Sequence, residues 1–314
     1  MKKYSAALAL ALAAISATPP TAAKAEIAAT IPIKVTPASV GDPGYAAIPV
    51  VIWAPSTGTG LPLVVISHGT GGGALSHVDT AQALAEAGFV VVAPMHPGDN
   101  FQDDSNVGKP AWFVDRSRHV SKVIDHMLSG WEGHARIAPG KIGIYGLSAG
   151  ATTALITIGG EPDLARIAPH CAASPEFVCR IMAPQTVTTP PVWTHDARIA
   201  AAVIAAPGIG FAFEPAGLTK VRVPIQLWVG SADETVPFKS NAAIVQRLLP
   251  KPPEFHSVSD AVHLSFLAPC TPETPPFLCQ DKPGFDRRAF HNSFNKSVIA
   301  FFRQQFRITP KAKP

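Results

Sequence analysis

Lys141-Ile142-Gly143-Ile144-Tyr145-Gly146-Leu147-Ser148-Ala149-Gly150 is the stretch on which the reading of the fold turns. Ile142 to Tyr145 is a short apolar run with β-branched residues, which predicts a buried strand. It runs directly into Gly146-x-Ser148-x-Gly150, and small, helix-compatible residues follow from Ala149 to Ile158. Strand, sharp turn and helix form the setting in which G-x-S-x-G makes a nucleophile elbow. The flanking glycines let strand and helix come close, so that the Ser148 hydroxyl projects above the sheet edge.

Outward from the elbow the same rhythm repeats. Upstream, strands are expected at Ile31 to Val35, Ile48 to Trp53, Leu63 to Ile66 and Phe89 to Ala93. A turn around Gly41-Asp42-Pro43-Gly44 separates the first two, and Thr57-Gly58-Thr59-Gly60 reads as a hairpin connection to the third. Helices are expected from Ser76 to Ala87, with Gly88 at the end, and over 112–129, where Phe113, Val120, Val123, Ile124, Met127 and Leu128 share one apolar side. Downstream, Ile199 to Ala205, Ile225 to Val229 and Phe255 to Val258 read as strands, and Asn241 to Leu249 and Arg288 to Phe306 as helices. The alternation implies an α/β fold, a mostly parallel sheet with crossovers on both faces. Between Gly159 and Asp196 the rhythm breaks. Prolines, Cys171, Cys179 and Trp193 in that stretch read as a cap-like insertion over the C-terminal edge of the sheet, not a second domain.

The chain has 314 residues, 47% of them hydrophobic and only 15% charged, so a large core is expected and global disorder is not. Residues 1–25 read as a cleavable signal peptide, leaving 26–314 as the folded domain. Lys2 and Lys3 precede an apolar stretch, Ala6 to Ile15, too short to span a bilayer, and Ala23-Lys24-Ala25 offers a cleavage site. Export to the periplasm or the medium is therefore expected over a retained membrane anchor. The formal charge of +4 comes from 26 Lys+Arg against 22 Asp+Glu; without Lys2, Lys3 and Lys24 the balance is 23 against 22. A nearly neutral mature chain gives no support for nucleic-acid binding. The four cysteines suit an oxidising compartment, and short local loops favour Cys171–Cys179 and Cys270–Cys279 among the three possible pairings. No CxxC or HExxH pattern is present, so a zinc site has little support, and a serine hydrolase of the kind read below needs no metal or cofactor.

A serine hydroxyl needs a base to take its proton and a third group to orient that base. After a G-x-S-x-G serine the acid is expected next, at a strand end, and the histidine last. Asp233 lies in Trp228-Val229-Gly230-Ser231-Ala232-Asp233-Glu234-Thr235-Val236-Pro237, just past an apolar strand. His263 lies in Val262-His263-Leu264-Ser265-Phe266, past the last strand. Glu234, Asp196 and Asp260 are the rival acids. Among the eleven histidines His256 is the main rival base, although it falls inside the expected strand. Of the two backbone donors an oxyanion hole needs, one is expected from Ala149 and the other from Ser67-His68-Gly69-Thr70-Gly71-Gly72-Gly73, at Thr70 with Gly71 as the near alternative. Trp112, Phe113, Trp193, Phe211 and Phe213 are candidates for an apolar substrate pocket.

Together these segments resemble the α/β-hydrolases, most of all the exported dienelactone-hydrolase-like group, which is also similar to platelet-activating-factor acetylhydrolases and bacterial cutinase-type polyester hydrolases. The resemblance spans about residues 45–305 and implies Ser148 as nucleophile, His263 as general base and then acid, Asp233 as orienting carboxylate, and Thr70 and Ala149 as oxyanion donors. Dienelactone hydrolases carry cysteine where this chain has Ser148, which points towards ordinary carboxylic esters. The 159–196 insertion is absent from minimal cutinase-type folds. The expectation is an exported serine carboxylester hydrolase for small or medium apolar esters. A polyester or lipid esterase, a serine peptidase and a non-catalytic binding protein on the same scaffold are the alternatives.

Overall fold

The computed structural model describes residues 32–182 and 192–308, so the signal-peptide reading of residues 1–25 lies outside the described residues. The first half runs β1 (Ile33–Val40), β2 (Ile48–Pro55), β3 (Leu61–Ser67), α1 (Val78–Glu86), β4 (Val90–Pro94), α2 (Trp112–Asp125), β5 (Ile137–Leu147) and α3 (Ala149–Thr157). Then follow α4 (Ile167–Ala173), α5 (Cys179–Met182), β6 (Ile199–Ala205), α6 (Pro215–Leu218), β7 (Ile225–Gly230), α7 (Ala242–Leu248), β8 (Glu254–Val258) and α8 (Arg287–Gln305). The eight strands form one sheet in the order β1-β2-β4-β3-β5-β6-β7-β8. From β4 to β8 every neighbouring pair is parallel, and only the pairings of β2 are antiparallel. This is the α/β-hydrolase fold.

Alternation along the central strands sends side chains to two separate cores. Leu63, Val65, Val90, Val92, Ile142 and Ile144 pack with Val120, Val123 and Ile124 of α2 and Ala151, Ala154 and Leu155 of α3. Val64, Ile66, Val91, Tyr145 and Leu147 face the other way, against Leu84 of α1 and Phe294, Phe301 and Phe302 of α8. Helices therefore cover both faces.

One expected connection is corrected. Residues 57–60 do not close a hairpin between β2 and β3, because β2 pairs with β1 and β4. β3 is buried on both faces from Pro62 to Ser67 and takes a central place between β4 and β5, whereas β2 keeps Pro49 exposed near the sheet margin. Boundaries shift elsewhere: β1 begins later and runs to Val40, β5 extends back to Ile137, and the helix expected over 112–129 ends at Asp125 in a wide turn, His126–Gly130.

In the stretch read as an insertion, the turn at Leu164 and helices α4 and α5 pack through Leu164, Ile167, Cys171 and Met182 against Trp112, Phe113, Ala149 and Phe211. Disulfides join Cys171 to Cys179 and Cys270 to Cys279, with Cα–Cα distances of 5.4 and 6.1 Å. No described helix is long and apolar enough to cross a membrane.

Candidate active site

Ser148 sits between β5 and α3 with φ 57° and ψ −118°, a backbone conformation that costs a non-glycine residue about 1–3 kcal/mol. The surroundings over-determine it. The Ser148 N–H donates to the Ala205 carbonyl at 2.9 Å, and its carbonyl accepts from Thr152 at 3.0 Å. A Cβ on Gly146 would lie 2.2 Å from the Gly150 carbonyl oxygen, and one on Gly150 would lie 1.9 Å from that of Ser67. Both glycines of the motif are thus required by contact: one closes the turn on itself, and the other lets α3 touch the loop after β3.

The ends of β7 and β8 are stitched together. Ser231 donates to Val258 at 2.9 Å and Ala232 to Ala261 at 3.0 Å, while a Cβ on Gly230 would lie 2.4 Å from the Ala261 carbonyl oxygen. That stitching brings Asp233 to His263. Asp233 Oδ1 accepts from the N–H groups of Thr235 (3.0 Å) and Val236 (2.9 Å), and Oδ2 lies 2.7 Å from His263 Nδ1. A carboxylate only accepts, so Nδ1 carries the proton and Nε2 is left as the acceptor. The rivals are placed elsewhere. Asp196 binds Arg198 and Ser121, Glu234 and Asp260 are exposed, and His256 stacks on Trp228 while facing Glu254. Among the described residues no hydrogen bond joins the Ser148 hydroxyl to His263.

Behind His263 the chain is clamped twice. Ser265, two residues on, donates its hydroxyl to Asp281, which Arg287 holds; the Ser265 carbonyl lies 2.9 Å from His291 Nε2, whose Nδ1 meets Asp79 at 2.7 Å.

Thr70, Ser148 and Ala149 line one cleft. The Gly71 N–H is already given to Asp99 Oδ1 at 2.8 Å, whereas those of Thr70 and Ala149 have no acceptor among the described residues. Of the five aromatic residues expected in a pocket, Trp112 and Phe113 line this cleft. Phe213 belongs to the core beneath the sheet, Phe211 is buried under the His170 ring, and Trp193 packs outside the lining. Phe177, Val178, Ile181 and Ile209 complete the apolar wall instead. Trp112 and Phe113 reach the cleft from the start of α2, whereas Phe211 and Phe213 are buried, as aromatic side chains most often are.

Sequence reading missed the polar layer below the loop that carries Thr70. Arg116 and Asp99 pair at 2.5 Å with side chains 1% exposed. Arg116 also donates to the His68 carbonyl and to Thr153 Oγ1 on α3, and the Trp112 indole donates to Asp99. His68, His96 and His119 pack beside them. Burial, followed by the Arg116 charge, lowers His68 to about 3; burial, then Arg118 and Arg116, lowers His119 to about 3. His68 is therefore neutral, donating from Nδ1 to Gly69 (2.7 Å) and accepting at Nε2 from the His96 N–H (3.1 Å). A signal existed: Arg116 interrupts the apolar stripe of α2 between Phe113 and Val120.

A family model described as the dienelactone hydrolase family matches residues 48–306. Among solved structures, a dienelactone hydrolase from Anabaena variabilis ATCC 29413 is 16% identical, with a TM-score of 0.54 over 85% of this chain and 98% of that one. A cold-adapted esterase from an Arctic intertidal metagenomic library, bound to PEG, is 17% identical, with a TM-score of 0.51 over 84% and 94%. At such identities the two structures speak to the fold. No curated protein matches the sequence.

Proposed function

The chain belongs to the dienelactone hydrolase family, a family of hydrolases, and we propose that it is a serine carboxylester hydrolase for small or medium apolar esters. The Asp233–His263 contact at 2.7 Å, on the sheet edge that also carries the strained Ser148, is the observation that supports this reading.

In the proposed reaction His263 Nε2 takes the Ser148 proton as Oγ attacks the ester carbonyl carbon. Negative charge gathers on the carbonyl oxygen, where the Thr70 and Ala149 N–H groups receive it. One such donor is worth on the order of 10²–10³ in rate. His263 then protonates the departing alcohol. Water, deprotonated by the same Nε2, releases the acid from the Ser148 ester, and Asp233 holds the ring and balances its charge in both halves. Serine in place of a cysteine nucleophile favours ordinary esters over a dienelactone. The segment around α4 and α5 acts as a cap that walls the cleft and filters size. Two disulfides suit an exported protein, as the Lys2-Lys3 leader predicts.

The test is a p-nitrophenyl ester series from acetate to palmitate on the wild type and Ser148→Ala. Activity that peaks at short chains and disappears in the variant is expected. Full activity in Ser148→Ala would sink the assignment.

A further inference from the structure

We propose that Glu176 makes this cleft reject esters bearing a negative charge on the acyl chain, so that its substrates are uncharged or cationic esters; this rests on the ester-hydrolase reading of Ser148. Among the described lining residues Glu176 is the one that carries a formal charge, set among Trp112, Phe113, Phe177, Val178 and Ile181.

The carboxylate is fixed in place. Its Oε2 accepts from Asn241 Nδ2 at 2.9 Å and its Oε1 faces His170 Nε2 at 3.0 Å, leaving the side chain 6% exposed. Asn241 is itself held, accepting the Gly210 N–H at 2.9 Å, and His170 lies flat on Phe211 with ring centres 3.6 Å apart. The Cys171–Cys179 disulfide closes the turn that carries Glu176. None of these braces is a permanent cation: Asn241 is neutral, and His170 offers a charge only when protonated. Arg116, behind Trp112, is paired with Asp99. An ester with a carboxylate on its acyl chain would meet a like charge in a partly dry cleft and no partner. Discrimination of this kind works by a built-in repulsion.

The experiment compares kcat/KM for p-nitrophenyl hexanoate, its ω-carboxylate analogue (the monoadipate) and its ω-trimethylammonio analogue. The wild type is expected to favour hexanoate over monoadipate by about tenfold or more, the scale of a like-charge contact in a site of intermediate polarity. Glu176→Gln, which keeps a hydrogen-bonding group of the same shape, is expected to raise the monoadipate-to-hexanoate ratio by about tenfold. Phe177→Lys, a change at an exposed lining position, supplies a counter-charge and is expected to move the ratio the same way even if Glu176→Gln does not fold. A ratio unchanged in every folded variant overturns the proposal. Labelling of Ser148 by a neutral fluorophosphonate separates the two readings: labelling with an unchanged ratio removes the charge filter alone, and failure to label removes the ester-hydrolase assignment beneath it.

Discussion

Arg116 and Asp99 form a buried ion pair that ties three parts of the site to one point. Through Arg116 the pair holds the His68 carbonyl and Thr153 on α3; through Asp99 it takes the Gly71 N–H. The loop after β3 is thereby fastened on both sides of Thr70. Two charges so deeply buried are justified only when each has its partners, and here every polar end is engaged.

Replacing Arg116 by Met is expected to leave Asp99 uncompensated and to cost about 3–5 kcal/mol of stability. Asp99→Asn in the same chain removes the orphaned charge and should recover part of that loss. Denaturant melts of both variants check the energy. Steady-state kinetics check the positioning role, with kcat of the folded double variant falling more than KM changes. A single variant as stable as wild type would show that the pair is dispensable.

The buried histidines predict an acid-sensitive fold. His68 and His119 have pKa values of about 3 when folded against 6.5 as the ordinary value. Between those values the unfolded chain binds protons that the folded chain refuses, so stability is complete above about 6.5 and is lost as pH falls towards 3. His119→Asn should make the decline shallower by up to about one proton's worth. Melts from neutral pH to about pH 4 measure both slopes, and identical slopes would contradict the assignment.

Gly150→Ala tests the elbow. The added methyl would lie 1.9 Å from the Ser67 carbonyl oxygen and 2.7 Å from that of His68, both backbone atoms that cannot swing aside. Loss of more than about 4 kcal/mol is expected, at the extreme of single substitutions. Gly140→Ala is the control, because nothing lies within 4 Å of its added Cβ; a change within about 0.5 kcal/mol is expected there. Equal thermal shifts for the two variants would refute the contact argument.

Much of the sheet was legible because its determinants are local. Ile199–Ala205 is a strand at the residues expected, and the apolar runs around Leu63, Val90, Ile142 and Ile225 are strands because nothing else buries such runs on both faces. The order of strands was less legible: the turn-like Thr57 to Gly60 looked the same whether β2 paired with β3 or stepped past it, since pairing partners are chosen by sheet burial and not by the connection.

The sequence by itself determined the strand–turn–helix around Ser148, the alternation that makes the sheet parallel, and the loops on which Asp233 and His263 lie, because spacing and residue type carry that information along the chain. Only the tertiary structure decided that Asp233 meets His263 and that Gly71 is already engaged. Tertiary structure likewise set Phe213 in the core, and brought Arg116, Asp99 and Glu176 to the site from separate elements. Those outcomes depend on which elements the two hydrophobic cores press together, and no local pattern encodes a distance between residues far apart in the chain.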